Sequence, residues 1–270
     1  MNLNTIVEVK RPHSAEQVDW REGHAWLAGG TWLFSEPQAA VDTLVDLDSL
    51  GWPALTATSA GLEIAATCRI ADLHAFEGPP YWRAVPLFGK CIDAFLMSFK
   101  IWNAATVGGN ICMSLPAGAM ISLTAALEGL CTVWPRNGAP RQVPVVDFVT
   151  GNHQNVLQPG DLLRSIHLPA SALRKRFAMR QASLTHLGRS AALIVATVDD
   201  NNANFLLTIS AATPRPVHLR FAHTPSAAEL RQAIDVRLPA DAWFADVHGS
   251  AAYKRHVTHY LADQIRAELS

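Results

Sequence analysis

Hydrophobic and polar positions change rhythm twice along these 270 residues. In the first stretch, short apolar runs alternate with polar ones. Residues 5–10, 25–28 and 43–47 read as strands, and Pro12 to Val18 as a helix start, with Ser14 and Gln17 spaced as a capping box. Strand, helix, strand, loop, strand predicts a small α/β unit that ends near Leu50, before the break Gly51-Trp52-Pro53. In the second stretch a strand at 62–66 precedes a short helix at 70–76. A longer helical stretch covers about 82–99, interrupted near its start by Pro86 and Gly89, and another helix runs from Pro116 to about Glu128. A strand at 131–134 and its hairpin partner at 141–146 complete a second α/β unit.

From Asp161 the texture becomes a run of strands: 162–168, 176–181, 191–198, 204–211 and 216–221, with a turn at 199–202. Two helices follow, near 227–234 and 250–269. Strands followed by helices predict an antiparallel sheet with helices on one face. The chain is therefore expected to be α+β, divided as 1–52, 53–160 and 161–270.

Composition narrows the function. The chain is 49% hydrophobic with a formal net charge of −1, so nothing in it attracts nucleic acid or an anionic membrane surface. No apolar run approaches the roughly 20 residues of a membrane span. Residues 1–10 lack the basic start and apolar core of a signal peptide, which makes the cytoplasm the expected location. Cys68, Cys91, Cys112 and Cys131 are widely spaced, so an iron–sulfur cluster or zinc site on this chain is not expected. The histidines form no His-Glu-x-x-His, and no metal ligands or acid, base or nucleophile constellation stands out.

What does stand out is a pair of glycine pairs. Thr106-Val107-Gly108-Gly109-Asn110-Ile111 reads as a loop suited to an anion: glycines admit close approach, and successive N–H groups can form a cationic nest beside a hydroxyl. Trp26-Leu27-Ala28-Gly29-Gly30-Thr31 is the second such stretch, at the end of a strand-like run. Either alone reads as a tight turn; together they could grip a dinucleotide from two sides. No Gly-x-Gly-x-x-Gly is present, which disfavours a Rossmann site.

Ala28-Gly29-Gly30-Thr31 and Ala105-Thr106-Val107-Gly108-Gly109-Asn110-Ile111 resemble the two flavin-binding signatures of the FAD-binding subunits of molybdenum hydroxylases, such as xanthine dehydrogenase and carbon monoxide dehydrogenase. Pro12-His13-Ser14-Ala15-Glu16-Gln17, Asp161-Leu162-Leu163 through Leu168-Pro169, and Ser250 through Arg255 are similar to further segments of that family. The resemblance implies two α/β FAD-binding subdomains of the PCMH/vanillyl-alcohol-oxidase type and a C-terminal antiparallel sheet with helices. It implies FAD contacts at Trp26, Leu27, Ala28, Gly29, Gly30, Thr31, Trp32 and Leu33, and at Thr106, Val107, Gly108, Gly109 and Asn110. It also aligns Leu163 with a leucine that touches the flavin ring and Arg180 with a lysine near the flavin, where a cation would stabilise the reduced anionic ring.

Under that resemblance the chain is an oxidoreductase component. Electrons leave a molybdenum cofactor on a large subunit, pass through iron–sulfur clusters on a small subunit, and reach FAD here before an external acceptor takes them. A heterotrimer or a dimer of heterotrimers is the implied assembly. The chain also departs from the family pattern. Trp32 stands where aspartate is frequent, Lys100-Ile101-Trp102-Asn103 lacks the family's arginine, and Ala119 replaces a flavin-facing aspartate. Indole faces can stack on adenine or flavin, or simply fill the core. Two other readings therefore stay open on residues alone: a stand-alone FAD oxidoreductase with its own substrate, and a cofactor-free scaffold that kept the fold.

Overall fold

Parallel pairing opens the chain. The computed structural model describes residues 3–201 and 203–270. Strands β1 (Glu8–Lys10), β2 (His24–Leu27) and β3 (Thr43–Asp46) form a sheet in the order β1-β3-β2, both pairings parallel. Thr43, Leu44 and Val45 on the central strand are buried. The expected helix after Pro12 is a single 3-10 turn, Ala15–Gln17, anchored where Gln17 Oε1 accepts from His13 N–H at 2.9 Å. It buries no residue, so nothing carries it past one turn. Because β2 and β3 run parallel, the chain must cross back after Leu27, and this places residues 28–33 beyond the carboxyl end of the sheet.

The second sheet is antiparallel. It contains β4 (Leu55–Thr58), β5 (Gly61–Ala65), β6 (Leu130–Trp134) and β7 (Arg141–Pro144). A small hairpin follows, β8 (Val149–Gly151) with β9 (Gln154–Asn155), and then β10 (Leu162–Pro169) returns to the sheet. The order is β4-β5-β10-β6-β7, so the strand expected to open the C-terminal sheet is instead the middle of this one. Its Ile166 and Leu168 lie opposite Ile64 and Leu62 on β5. Periodicity marks a strand's faces; the partner is chosen by which faces match across the sheet.

Helices α1 (Ile70–His74), α2 (Pro86–Asp93), α3 (Phe99–Trp102), α4 (Val107–Met113), α5 (Ala119–Ala126), α6 (Val145–Phe148) and α7 (Ala170–Leu173) belong to this unit. The long helical stretch expected over 82–99 breaks after Asp93, and Leu96 takes a left-handed φ of 53°. The stretch 106–111, expected as a loop, begins α4. Every residue of α5 is buried, which explains a helix that is apolar all round.

The C-terminal unit follows the expected pattern. Strands β11 (Arg176–Ala182), β12 (Ala192–Val198), β13 (Ala203–Ser210) and β14 (Val217–His223) pair consecutively and antiparallel. The turn at 199–202 is seen through Asn201; Asn202 lies outside the described residues, as do Met1 and Asn2. Helices α8 (Ala227–Arg237) and α9 (Ala251–Leu269) cover one face, where Ile194 and Leu207 join Leu261 and Ile265 in a core. Leu193 and Val195 point the other way, into the core of the second unit. All of β12 is consequently buried.

Polar ties weld the same interface. His218 Nε2 donates to Ala125 O at 3.0 Å, and burial, then the nearby Arg220, push its pKa down to about 4, so the ring is neutral at pH 7. Glu128 receives Lys175 Nζ at 2.9 Å and Arg220 Nη1 at 2.6 Å. Burial opposes ionisation of Glu128, but the hydrogen bonds from Arg220 and Lys175 outweigh it and hold the carboxyl below its ordinary value. Among the described residues no helix is long and apolar enough to cross a membrane.

Glu128→Gln should destabilise the chain by about 1–3 kcal/mol at pH 7, because it leaves the buried Lys175 without its charge partner. A lowered carboxyl pKa gives stability that is complete above the unfolded value and lost as pH falls through the folded one. The gap between wild type and variant in urea unfolding should therefore shrink below about pH 4.5. A gap that is constant down to pH 3 would show that the ion pair contributes nothing.

Candidate functional site

The first glycine stretch leaves its amides open. Trp26 is fixed by stacking on Trp20, with centroids 4.6 Å apart, and by donating from Nε1 to Asp161 O at 3.1 Å. Leu27 O accepts from Leu47 N–H at 2.8 Å, which ends the ladder. Ala28 then leads into Gly29, where a Cβ would stand 1.8 Å from the carbonyl oxygen of Ala104. That contact is possible only without a side chain. Gly30 has φ of +68°. Among the described residues, no acceptor takes the N–H of Gly29, Gly30, Thr31, Trp32 or Leu33. The next amide, Phe34 N–H, closes a turn onto Gly30 O at 2.8 Å. A run of unpaired N–H groups is a ready anion site.

A cleft of about 330 Å³ opens beside this loop, with Gly29, Asp46, Asp48, Arg69, Asn103 and Thr106 in its lining. Asp46 and Asp48 come from the carboxyl end of β3. Asp46 Oδ1 accepts from Asp48 N–H at 3.0 Å, and Arg11 stands 3.5 Å from Asp46. Carboxylates there suit hydroxyl donors, while Arg69 and the amides suit an anion.

The second glycine stretch does a different job. Thr106 is the N-cap of α4, its Oγ1 accepting from Gly109 N–H at 3.0 Å. Val107 N–H bonds Cys68 O at 2.9 Å, Gly108 N–H bonds Ala66 O at 3.0 Å, and Asn110 N–H bonds Thr106 O at 3.1 Å. The opening amides of the helix are therefore all taken, and the nest expected at this stretch is not available. A Cβ on Gly108 would meet Ala66 Cβ at 2.4 Å, so this glycine exists to let α4 lie against the chain just after β5. Gly109 is different: only Thr106 Oγ1, at 2.9 Å, lies near its missing Cβ, and that face stays open.

Asn110 Oδ1 accepts from Met120 N–H at 3.1 Å, which ties α4 to the start of α5. Only the oxygen can accept, so the amide orientation is fixed and its Nδ2 has no protein acceptor among the described residues. The far end of α4 is capped by the hairpin. Asn155 Nδ2 donates to Cys112 O at 2.8 Å, and His153 N–H bonds Ser114 O at 3.0 Å. Across from it, the Trp32 ring lies 5.5 Å from that of His153.

The structure thus brings Leu27, Ala28 and Gly29 together with Asn103, Ala104 and Thr106 around the cleft, and it leaves Leu163 and Arg180 elsewhere. Leu163 is buried in the core of the second unit. Arg180 shares the face of β11 that carries Ala178 and Ala182, toward α9, and its guanidinium pairs with Glu268. The Trp102 ring lies tilted 4.9 Å from that of His74, with its Nε1 buried and without a partner among the described residues, and Ala119 is buried at the head of α5. Asp46, Asp48, Arg69 and His153 were not expected. The first two had a signal, since they follow a parallel strand at its carboxyl end, where such sheets bind ligands. Burial pushes the Cys68 thiol up to about 12, and the other three thiols are raised likewise, so none is a thiolate at pH 7.

Residues 7–171 match the family described as the FAD binding domain in molybdopterin dehydrogenase. A xanthine dehydrogenase of Oryza sativa subsp. japonica is 29% identical over 115 residues, which cover 40% of this chain and 8% of that protein. The chain therefore spans a small part of that relative's length. Among solved structures, a chain of quinoline 2-oxidoreductase from Pseudomonas putida 86 superposes with a TM-score of 0.78 at 16% identity, over 100% of this chain and 98% of that one. Carbon monoxide dehydrogenase from Hydrogenophaga pseudoflava gives 0.78 at 18% identity, over 96% of each chain. A Cu,Mo-CO dehydrogenase gives 0.79 at 20%, over 96% and 97%. At such identities the likeness establishes a shared fold, two α/β units with a C-terminal antiparallel sheet and helices.

The two adjacent glycines should respond differently to one methyl group. Gly108→Ala should destabilise the chain by about 1–3 kcal/mol, the usual cost of overpacking. Gly109→Ala should stay within about 1 kcal/mol of wild type, because the gain in helix propensity offsets a crowded cap. Denaturant melts of the purified chain measure both, and equal losses would refute the division of roles.

Proposed function

This chain belongs to the family of FAD binding domains in molybdopterin dehydrogenases, and from that premise we propose that it is the FAD-carrying, electron-transferring subunit of a heteromeric molybdenum hydroxylase. The observation that carries the reading is a run of unpaired amides that starts at Gly29, in the lining of the cleft, and continues to Leu33. The residues fit the group. Neutral N–H donors suit a pyrophosphate, and the absent Cβ of Gly29 lets the two stretches meet at Ala104. The cleft is large enough for part of a dinucleotide rather than all of it.

In this reading the first stretch, with Trp26, Leu27 and Ala28 as its rigid base, holds the pyrophosphate on the amides of Gly29, Gly30, Thr31, Trp32 and Leu33. Asn110 adds its free Nδ2 donors from α4, and the bare backbone of Gly109 leaves room above the helix. Thr106, Val107 and Gly108 act indirectly, by docking that helix. Asp46 and Asp48 accept hydrogen bonds from ribose or ribityl hydroxyls. Leu163 supports the site from within the core. Arg180 is paired with Glu268 and takes the role of the family's flavin-side cation only if that pair opens. Bound FAD supplies the redox chemistry. The chain's residues bind, orient and shield, and none need move a proton.

Electrons arrive from iron–sulfur clusters on a small subunit, themselves fed by a molybdenum cofactor on a large one, in the cytoplasm. Support comes from surface left open beside the cleft. Phe34 is 43% exposed, and Phe99, shortly before Asn103, is 69% exposed. Apolar groups so placed suit burial by a partner subunit. The chain's division into 1–52, 53–160 and 161–270 is proposed as its set of structural units, with the strand Leu162–Pro169 paired into the sheet of the second.

Purified with its partner chains, the protein should carry non-covalent FAD. Heating should release it, and chromatography should identify FAD. FMN, or an intact complex without flavin, would overturn the reading.

A further inference from the structure

The amide loop touches the second unit near both ends of α4. At its start, Gly29 is pressed on Ala104, just before the N-cap of the helix. At its far side, Trp32 meets His153, whose N–H is bonded to the C-cap residue Ser114 at 3.0 Å. Between these two contacts the backbone is curled: Gly30 has φ of +68°, and Phe34 N–H returns to Gly30 O at 2.8 Å. The indole of Trp32, not the backbone, reaches the hairpin.

The two anchors are not alike. The Gly29 end is backed by the strand β2 and by the Trp26 bond to Asp161. Beyond Gly30 the backbone makes only local bonds, such as Ser35 N–H to Trp32 O at 2.8 Å. At this side its Trp32 ring meets the second unit at His153, 5.5 Å between centroids at 46°. His153 is itself held firmly. It has a left-handed φ of 55° and Ser114 has one of 52°, and the two are joined by the hydrogen bond just given. Such backbone costs about 1 kcal/mol per residue and persists where the surroundings enforce it. Here Asn155 enforces it, through Nδ2 to Cys112 O and to Ser114 Oγ at 3.2 Å.

We propose that Trp32 and His153 form a positioning pair that pins the open end of the amide loop and thereby sets how tightly the dinucleotide is held. This rests on the reading of that loop as the FAD pyrophosphate site. A pinned loop presents its N–H groups in place, so less ordering is lost on binding.

The test compares the full chain, freed of flavin, with Trp32→Ala, Trp32→Phe, His153→Ala and the double alanine variant. FAD is titrated by its fluorescence, and the flavin-free proteins are exposed briefly to a low-specificity protease. Each alanine variant should bind FAD about three- to tenfold more weakly, the scale of one aromatic pair, and Trp32→Phe should recover most of the loss. The double variant should be no weaker than the worse single one, as expected for residues acting as a unit. Cleavage within 29–36 should speed up several-fold in the alanine variants without any cofactor present. Additive losses, or unchanged affinity with unchanged cleavage, would overturn the pair. A wild type that takes up no FAD while the variants still show faster cleavage would leave the latch standing and remove the cofactor reading instead.

Discussion

The rest of the site depends on the packing of one glycine. Gly108 sits on Ala66 with room for no further carbon, and its N–H is spent on Ala66 O. This one contact lays α4 across the end of β5, and nearly everything functional is referred to that helix. Its start faces Ala104 and Gly29. Its middle offers Gly109 and Asn110. Its end is grasped by the hairpin that carries His153. A side chain at residue 108 would lift the helix and misalign all three.

Two stretches that look alike in sequence therefore divide the work by what their amides do. In the first, the chain leaves a parallel strand and turns without a helix, so successive N–H groups find no acceptor. In the second, the N-cap Thr106 and the carbonyls of Ala66 and Cys68 consume every opening amide of the helix. The unpaired amides lie in the irregular loop, and the regular element is the one whose amides are spent. That element has deeper support. α5 is buried from end to end beneath the C-terminal sheet, and Glu128, Lys175, Arg220 and His218 lock that interface.

Much of this was legible in the residues. The α+β character, the three successive textures, the C-terminal run of strands and the pair of glycine stretches all follow from local rules: apolar period, turn residues and the steric freedom of glycine. These operate within a few residues of one another, so the sequence states them directly.

Tertiary structure alone decided the rest. Leu162–Pro169 joined the second sheet because its faces match β5 and β6, which are distant in sequence. The stretch 106–111 became helix because carbonyls about forty residues earlier accept its first amides. Arg180 turned to α9 because strand alternation put it on the face of Ala178, and His153 met Trp32 because a hairpin caps α4. In each case the deciding partner lies far along the chain. A local pattern fixes which groups a residue offers, and only the fold settles which of them remain free.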